Sequence, residues 1–238
     1  LVSPSAAFVH GTVVTVDGDP VANDAIQVCS INLCLYGDTD GTGTVAVPQG
    51  NTPLDVPVFK VGDGLSRARI GYPVPEGGGE IEMEGTTIDL VDSETTLEGG
   101  AVAEADGVIL TIAEGAGVGL NTFDFPDCGQ DTLRAAVVPA GSIDVIAPDQ
   151  DFVALVGLGP NETIFCPAAG LSIPNDTDLE AGTEVEFVQQ SLETGQFFGA
   201  YGQWEQVAVG RVSDDGASFV TDDGEGIPIL TTTGVRPL

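Results

Sequence analysis

Positive charge is what this chain lacks. Lysine and arginine together number 6 among 238 residues, and Lys60 is the lone lysine, against 37 aspartates and glutamates. The formal net charge is −31. A field of that sign repels phosphate backbones and anionic bilayers, so nucleic acid and membrane surfaces are not expected as partners. Divalent cations and cationic surfaces are favoured instead. Charged residues still make up only 18%, below the roughly 25% of ordinary soluble domains. The imbalance therefore comes more from missing cations than from excess acid. Salt screens such self-repulsion, which points to a salty or calcium-containing exterior as the setting.

Histidine is also scarce, with His10 alone. That removes His-rich metal sites and makes any Ser-His-Asp triad depend on one residue. His10 stands beside Gly11 in the first apolar run and reads as a surface or packing residue. The G-x-S-x-G, H-E-x-x-H, P-loop and dinucleotide fingerprints are missing. With 37 acids, no single carboxylate pair stands out for glycoside hydrolysis. The expectation is a protein that is not an enzyme and holds no cofactor, calcium excepted. No apolar run approaches the roughly 18 residues of a membrane-spanning helix, so no membrane insertion is expected. Aromatics are 6%. Their densest cluster, Phe197, Phe198, Tyr201 and Trp204, either binds carbohydrate or packs in a core.

What is abundant is punctuation. There are 33 glycines and 15 prolines, spaced too closely for long helices. Asp-Gly pairs end at Gly18, Gly41, Gly64, Gly107, Gly216 and Gly224, and Asp-Gly between apolar runs is a strong hairpin signal. Between the turns, apolar and polar residues alternate with period two. Val14 and Val16 share one face; Ile26 and Val28 flank Gln27; Val45 and Val47 flank Ala46. Ile81 and Met83 interleave with Glu80, Glu82 and Glu84, and Val185 and Phe187 with Glu184 and Glu186. Val207 and Val209 lead to an expected bulge at Gly210. Such runs suit half-buried antiparallel strands. The fold class is all-β, with two or three antiparallel β-sandwich domains. The Pro- and Gly-rich segment Tyr72–Gly79 marks the boundary, giving domains 1–72 and 73–238. A further break is expected near 140, at Pro139–Gly141.

The cysteines are Cys29, Cys34, Cys128 and Cys166. An even number suits disulfides in an oxidising compartment, and the spacing is not that of paired zinc knuckles. Three connectivities are open; Cys29–Cys34 with Cys128–Cys166 is preferred. The chain begins at Leu1 rather than Met, which suits removal of a signal peptide or a fragment. Asn161-Glu-Thr and Asn175-Asp-Thr match the glycosylation sequon. The expected location is secreted, extracellular or at the cell surface.

Residues about 11–60 resemble the carboxypeptidase regulatory-like, or transthyretin-like, β-sandwich. The resemblance rests on Gly11-Thr-Val13, Asp17-Gly-Asp-Pro-Val21, Ile26-Gln-Val-Cys29 and Thr39-Asp-Gly-Thr-Gly43. It implies a small non-catalytic domain that braces or spaces other modules. Residues about 99–225 are similar, more loosely, to ZU5-like β-domains of bacterial surface proteins. That likeness rests on Gly99-Gly-Ala-Val102, Asp106–Ile112, Gly170-Leu-Ser-Ile-Pro174 and Leu179–Phe187.

Three further groups are site candidates. Asp38 and Asp40, with Gly41 and Gly43, could wrap calcium with oxygen ligands, although no bidentate Glu follows and a plain turn uses the same residues. Asp214, Asp215, Asp222, Asp223 and Glu225 form a second acidic surface. Lys60, Arg67 and Arg69 hold half of the 6 cations, and are expected either to dock another copy or to pair locally with Asp55 or Asp63. The apolar terminus, including Leu1, Val2, Phe8 and Val9, is expected to pack on its own domain or to add as a strand to a neighbour. The leading expectation is a self-assembling subunit of a surface fibre or filament. The alternative is an accessory module that binds calcium or carbohydrate.

Overall fold

The computed structural model describes residues 6–31, 33–49, 54, 56–75, 79–120, 130–192 and 199–238, with Ala6 and Ala7 described in the backbone alone. The fold is all-β. Among the described residues seven strands come first: β1 (Ala6–Thr15), β2 (Ala25–Cys29), β3 (Cys34–Asp38), β4 (Thr44–Pro48), β5 (Val58–Val61), β6 (Ile70–Pro73) and β7 (Gly79–Thr87). They form two facing sheets, ordered β4-β1-β7 and β3-β2-β5-β6. Alternation explains the packing. Val9 and Val13 of β1, Val45 and Val47 of β4, and Ile26 and Val28 of β2 are all buried, with the residues of opposite parity turned outward except Cys29, which is buried at the seam. Gly11 and Gly85 sit where the Phe59 ring crosses the core, and a Cβ at either would press on that ring.

Two details differ from expectation. The β1–β7 pair is parallel, so the sandwich is not wholly antiparallel. The core face of β1 is Val9, Gly11 and Val13; Val14 turns to the other face, and Val16, just past the strand, is half-buried against the core.

The remaining strands build a second body. They are β8 (Val91–Thr96), β9 (Val102–Ala105), β10 (Val108–Thr111), β11 (Gly117–Gly119), β12 (Thr132–Val137), β13 (Ala154–Gly159), β14 (Ile164–Pro174), β15 (Glu184–Gln190), β16 (Trp204–Val212), β17 (Ser218–Thr221), β18 (Ile227–Ile229) and β19 (Thr233–Pro237). Their order is β8-β12-β13-β19-β15-β16-β17-β14-β10-β9, with β11 and β18 also paired to β14. The end strands β8 and β9 lie side by side, so the sheet is nearly closed into a barrel. Leu110, Leu133, Leu158, Ile173, Phe187 and Phe219 fill it. The β15–β16 bulge falls at Val207, between the Phe187–Ala208 and Val188–Gln206 pairs, rather than at Gly210. Gly210 is needed for another reason: a Cβ there would collide with the Val220 carbonyl.

The expected boundaries move. Tyr72–Gly79 does not separate domains, because β7 on its far side pairs with β1 from Ala6 to Thr15. The sandwich therefore runs to about residue 90, and the passage into the barrel is the step from β7 to β8. Pro139–Gly141 is not a break either. It opens a 3-10 turn (Ala140–Ser142) and a short helix, α1 (Ile143–Ile146), between β12 and β13.

Candidate functional site

The fold's chemistry is concentrated at the seam between sandwich and barrel. The sandwich core does not close on its own residues. Val138, Ile143, Ile146, Phe152, Leu155 and Val188, all from the barrel half, belong to the same buried cluster as Val9, Ile26 and Phe59. Phe152 meets Trp204 edge to face, with ring centroids 5.0 Å apart. A side chain at Gly157 of β13 would collide with Ala68, and one at Gly159 would meet the Gly64 carbonyl at 2.8 Å. Glycine at both positions lets the barrel wall press directly on the β5–β6 connection.

Polar groups register this contact. The Gly71 N–H donates to Gln190 Oε1 at 3.0 Å, and Gln190 Nε2 donates to the Gly71 carbonyl at 2.6 Å. One amide thus satisfies both backbone groups of a residue on the outer side of β6, with glutamine and glycine both buried. Thr232 Oγ1 donates to the Arg69 carbonyl at 2.8 Å, and the Asn161 N–H to the Gly64 carbonyl at 2.8 Å. Replacing Gln190 with leucine keeps the volume but strands the Gly71 N–H and C=O. Each unmet buried group costs about 1–3 kcal/mol, so Gln190→Leu is expected to lose about 2–5 kcal/mol by denaturant titration. An unchanged midpoint would show that the latch adds nothing.

Lys60, Arg69 and Arg134 lie here too, and Arg67 lies nearby on the sandwich side. Lys60 is 2% exposed, with its Nζ 5.4 Å from the centroid of the Tyr201 ring. Arg69 is 7% exposed and donates from Nη2 to the Asp63 carbonyl at 2.9 Å and from Nε to the Gly62 carbonyl at 3.3 Å. Arg67 pairs with Asp89 at 2.9 Å and approaches Asp24 at 3.8 Å. Arg134 of β12 pairs with Asp92 at 3.1 Å and reaches the Leu65 carbonyl at 3.5 Å. Asp63 Oδ1 accepts three amides, from Leu65, Ser66 and Arg67, at 2.7–2.9 Å, and so shapes the loop that carries Arg67.

The patch expected to dock another copy is therefore turned inward at Lys60 and Arg69. Burial at the chain's own seam leaves no exposed docking surface at those two residues; Asp55 lies outside the described residues. Arg134, Gln190 and Gly157 were not singled out in the sequence. Their signals are weak but physical: two glycines in an otherwise apolar strand run, Ala154–Gly159, and consecutive glutamines closing the apolar run Val185–Val188.

Asp24, on the sandwich side beside Arg67, is a buried charge. It is 5% exposed, and burial, with the nearby Asp63 charge, raises its pKa above the ordinary 3.8 against the pull of Arg67. A raised folded-state pKa means that the folded chain holds the proton more tightly than the unfolded one. The stabilisation this gives is present at low pH and is lost as pH rises through the folded value. Asp24→Asn is therefore expected to melt no lower than the parent at about pH 7, its relative advantage shrinking towards about pH 4. Melting curves at both pH values check this, and an advantage that grows on acidification contradicts it.

Cys29 and Cys34 form the expected disulfide. It closes the β2–β3 hairpin, and Cys29 packs with Val58, Leu192 and Tyr201 at the seam. Cys166 carries an exposed free thiol, and Cys128 lies outside the described residues. Phe197 and Phe198 lie outside them as well. Tyr201 and Trp204 do not present a common exposed face: Tyr201 is buried over the disulfide and Trp204 packs against the sandwich core.

The acidic candidates serve turns. Asp40 Oδ1 accepts from the Thr42 N–H and hydroxyl at 2.8 and 2.7 Å and from the Thr44 N–H at 3.1 Å, and these bonds lower its pKa. Asp38 ends β3 opposite Ala25. Asp222 accepts from Nε and Nη2 of Arg211 at 2.7 Å each, and Asp215 accepts from the Ser213 hydroxyl and the Ala217 N–H. A shallow groove of about 580 Å³ runs beside Arg211, Asp214 and Asp223. Among the described residues no group of three His, Cys, Asp or Glu side chains is placed to hold a metal ion. Of the sequons, Asn161 is 1% exposed and Thr163 fully buried, so glycosylation there is incompatible with the folded seam. Asn175 is half-buried and donates to the Gly216 carbonyl at 2.9 Å.

At the terminus, Val9 is fully buried and Phe8 is 40% exposed; Leu1 and Val2 lie outside the described residues. β1 is the central strand of its sheet, laddered to β4 on one side and β7 on the other. Phe8 and Val9 are thus held inside the chain's own sandwich rather than free to add to a neighbour. Among the described residues no helix is long and apolar enough to cross a membrane. The disulfide is compatible with an extracellular protein. Compared with protein-family models, curated proteins and solved structures, the chain matches none.

Proposed function

We propose that this chain is a non-catalytic structural module of an extracellular surface fibre or appendage, working as a stiff two-body brace. The observation that carries the reading is the seam. Lys60, Arg69 and Arg134, three of the chain's 6 cations, lie where the barrel meets the sandwich. The Gln190–Gly71 latch and the disulfide cluster lie along the same contact. Independent domain motion is the ordinary expectation for a chain of two bodies unless their interface is large and apolar. Here the bodies share one apolar cluster, so an applied load is transmitted without a hinge. The acidic exterior suits a saline medium, where charge repulsion is screened and the surface stays hydrated.

Two measurements test this. Calorimetry of the whole chain is expected to give one cooperative transition, where two separate transitions would remove the rigid brace. Immunogold labelling of native material by negative stain is expected to decorate surface fibres or appendages. Label confined to the cell interior would overturn the extracellular role.

A further inference from the structure

We propose that the outer edge of β7 is a docking site for an extended basic segment of a separate protein, which adds as a fourth strand to the β4-β1-β7 sheet. Among the described residues β7 ends that sheet and is laddered to β1 alone, with the helix α1 lying close to it. Over Glu80–Glu84, no backbone hydrogen bond from any other described element reaches its outer side. The sandwich's other edges are covered. β3 and β4 close on each other at one corner, where a Cβ on Gly37 would meet Val45, the Ala46 carbonyl and Val47 at 3.0–3.2 Å. On β6, the Gly71 N–H and C=O are taken by Gln190.

The side chains choose the occupant. Glu80, Glu82 and Glu84 are exposed, while Ile81 and Met83 lean on the core. The glutamates face out beside Phe8, His10 and Thr12 of β1, with Phe8 and His10 stacked at 5.8 Å. An arriving strand would continue the sheet and set its own alternate residues beside the three carboxylates. Opposite charges at neighbouring cross-strand positions are favourable and like charges are not. Charge on an edge deters pairing with copies; here it is of one sign, so it repels a chain of net charge −31 and accepts Lys or Arg at every second position. This chain has no such strand to offer. Its cations outside the seam are Arg67, paired with Asp89, Arg211, forked on Asp222, and Arg236, paired with Glu186. Its terminal run from Leu1 to Phe8 carries no cation.

The test titrates the full chain with a synthetic peptide of about nine residues alternating lysine and threonine, read by fluorescence anisotropy and by amide hydrogen exchange. Exchange is expected to slow at residues 80–84 on saturation. The triple reversal Glu80→Lys, Glu82→Lys, Glu84→Lys is expected to weaken binding about tenfold more than a matched reversal on the barrel, Asp176→Lys, Asp178→Lys, Glu180→Lys. Equal weakening in both variants, or binding that slows no β7 amide, marks general adhesion to an acidic surface and overturns the proposal. Were the lysine variant to unfold, the triple change to glutamine gives the same comparison: greater weakening at β7 supports docking there, and equal weakening overturns it. The brace reading does not depend on the result, since it rests on the seam alone.

Discussion

A chain cut after Leu90, carrying all seven sandwich strands, is expected to stay unfolded or molten on its own. Ile143, Ile146, Phe152, Leu155 and Val188 complete the sandwich core from the barrel half, and the cut removes them all. Burying one such side chain contributes about 1.5–3 kcal/mol, so the loss is on the order of 10 kcal/mol. Whole domains are stable by about 5–15 kcal/mol. The cut also strips Leu192 and Tyr201 from Val58 and Cys29, and Gln190 from Gly71. A disulfide across a five-residue separation restores only about 2 kcal/mol by loop entropy. The check is proton NMR dispersion with a denaturant titration of the fragment. A dispersed spectrum with a cooperative transition would mean that the sandwich is independent and the seam mere contact.

That dependence marks where the sequence stopped being legible. Local rules read well. Of the Asp-Gly turns, Gly18, Gly64, Gly107, Gly216 and Gly224 all take positive φ, as hairpin chemistry requires. Gly41 does not; Gly43 takes the left-handed position two residues later, because the Asp40 carboxylate caps Thr42 and Thr44 and shifts the reversal. Alternation placed Ile26, Val28, Val45 and Val47 in the core. It gave no warning that Glu186 would be nearly buried between Val185 and Phe187, paired to Arg236 of the C-terminal strand. Pairing across distant sequence is the missing information. Tyr72–Gly79 has the composition of a linker, and composition cannot reveal that the strand beyond it returns to the first strand of the chain. Lys60, Arg67 and Arg69 read either as a docking patch or as local partners of Asp55 or Asp63, and neither reading shows that the chain's second half buries Lys60 and Arg69. The site's polar half, Gln190 against Gly71, spans a separation of 119 residues.

Removing residues 1–9 should damage the fold itself rather than only an assembly contact. Strand addition to a neighbour would need these residues to be spare, yet Phe8 and Val9 are paired to Pro48 and Val47 on one side and to Glu80 and Ile81 on the other. Val9 is fully buried, and its loss alone forfeits about 2 kcal/mol. The ladder bonds lost on both sides, at about 1 kcal/mol each, bring the expected destabilisation to about 5 kcal/mol. The remaining stretch His10–Thr15 still bridges β4 and β7 in register, so the barrel should persist while the sandwich frays from the β7 end. Hydrogen exchange resolved by residue separates the alternatives: faster exchange at Val45–Val47 and Glu80–Glu82 with the interior of β13 and β15 still protected is the expected pattern. Protection unchanged throughout would mean that the first strand is dispensable to its own sheet, and would return it to the role of a donor.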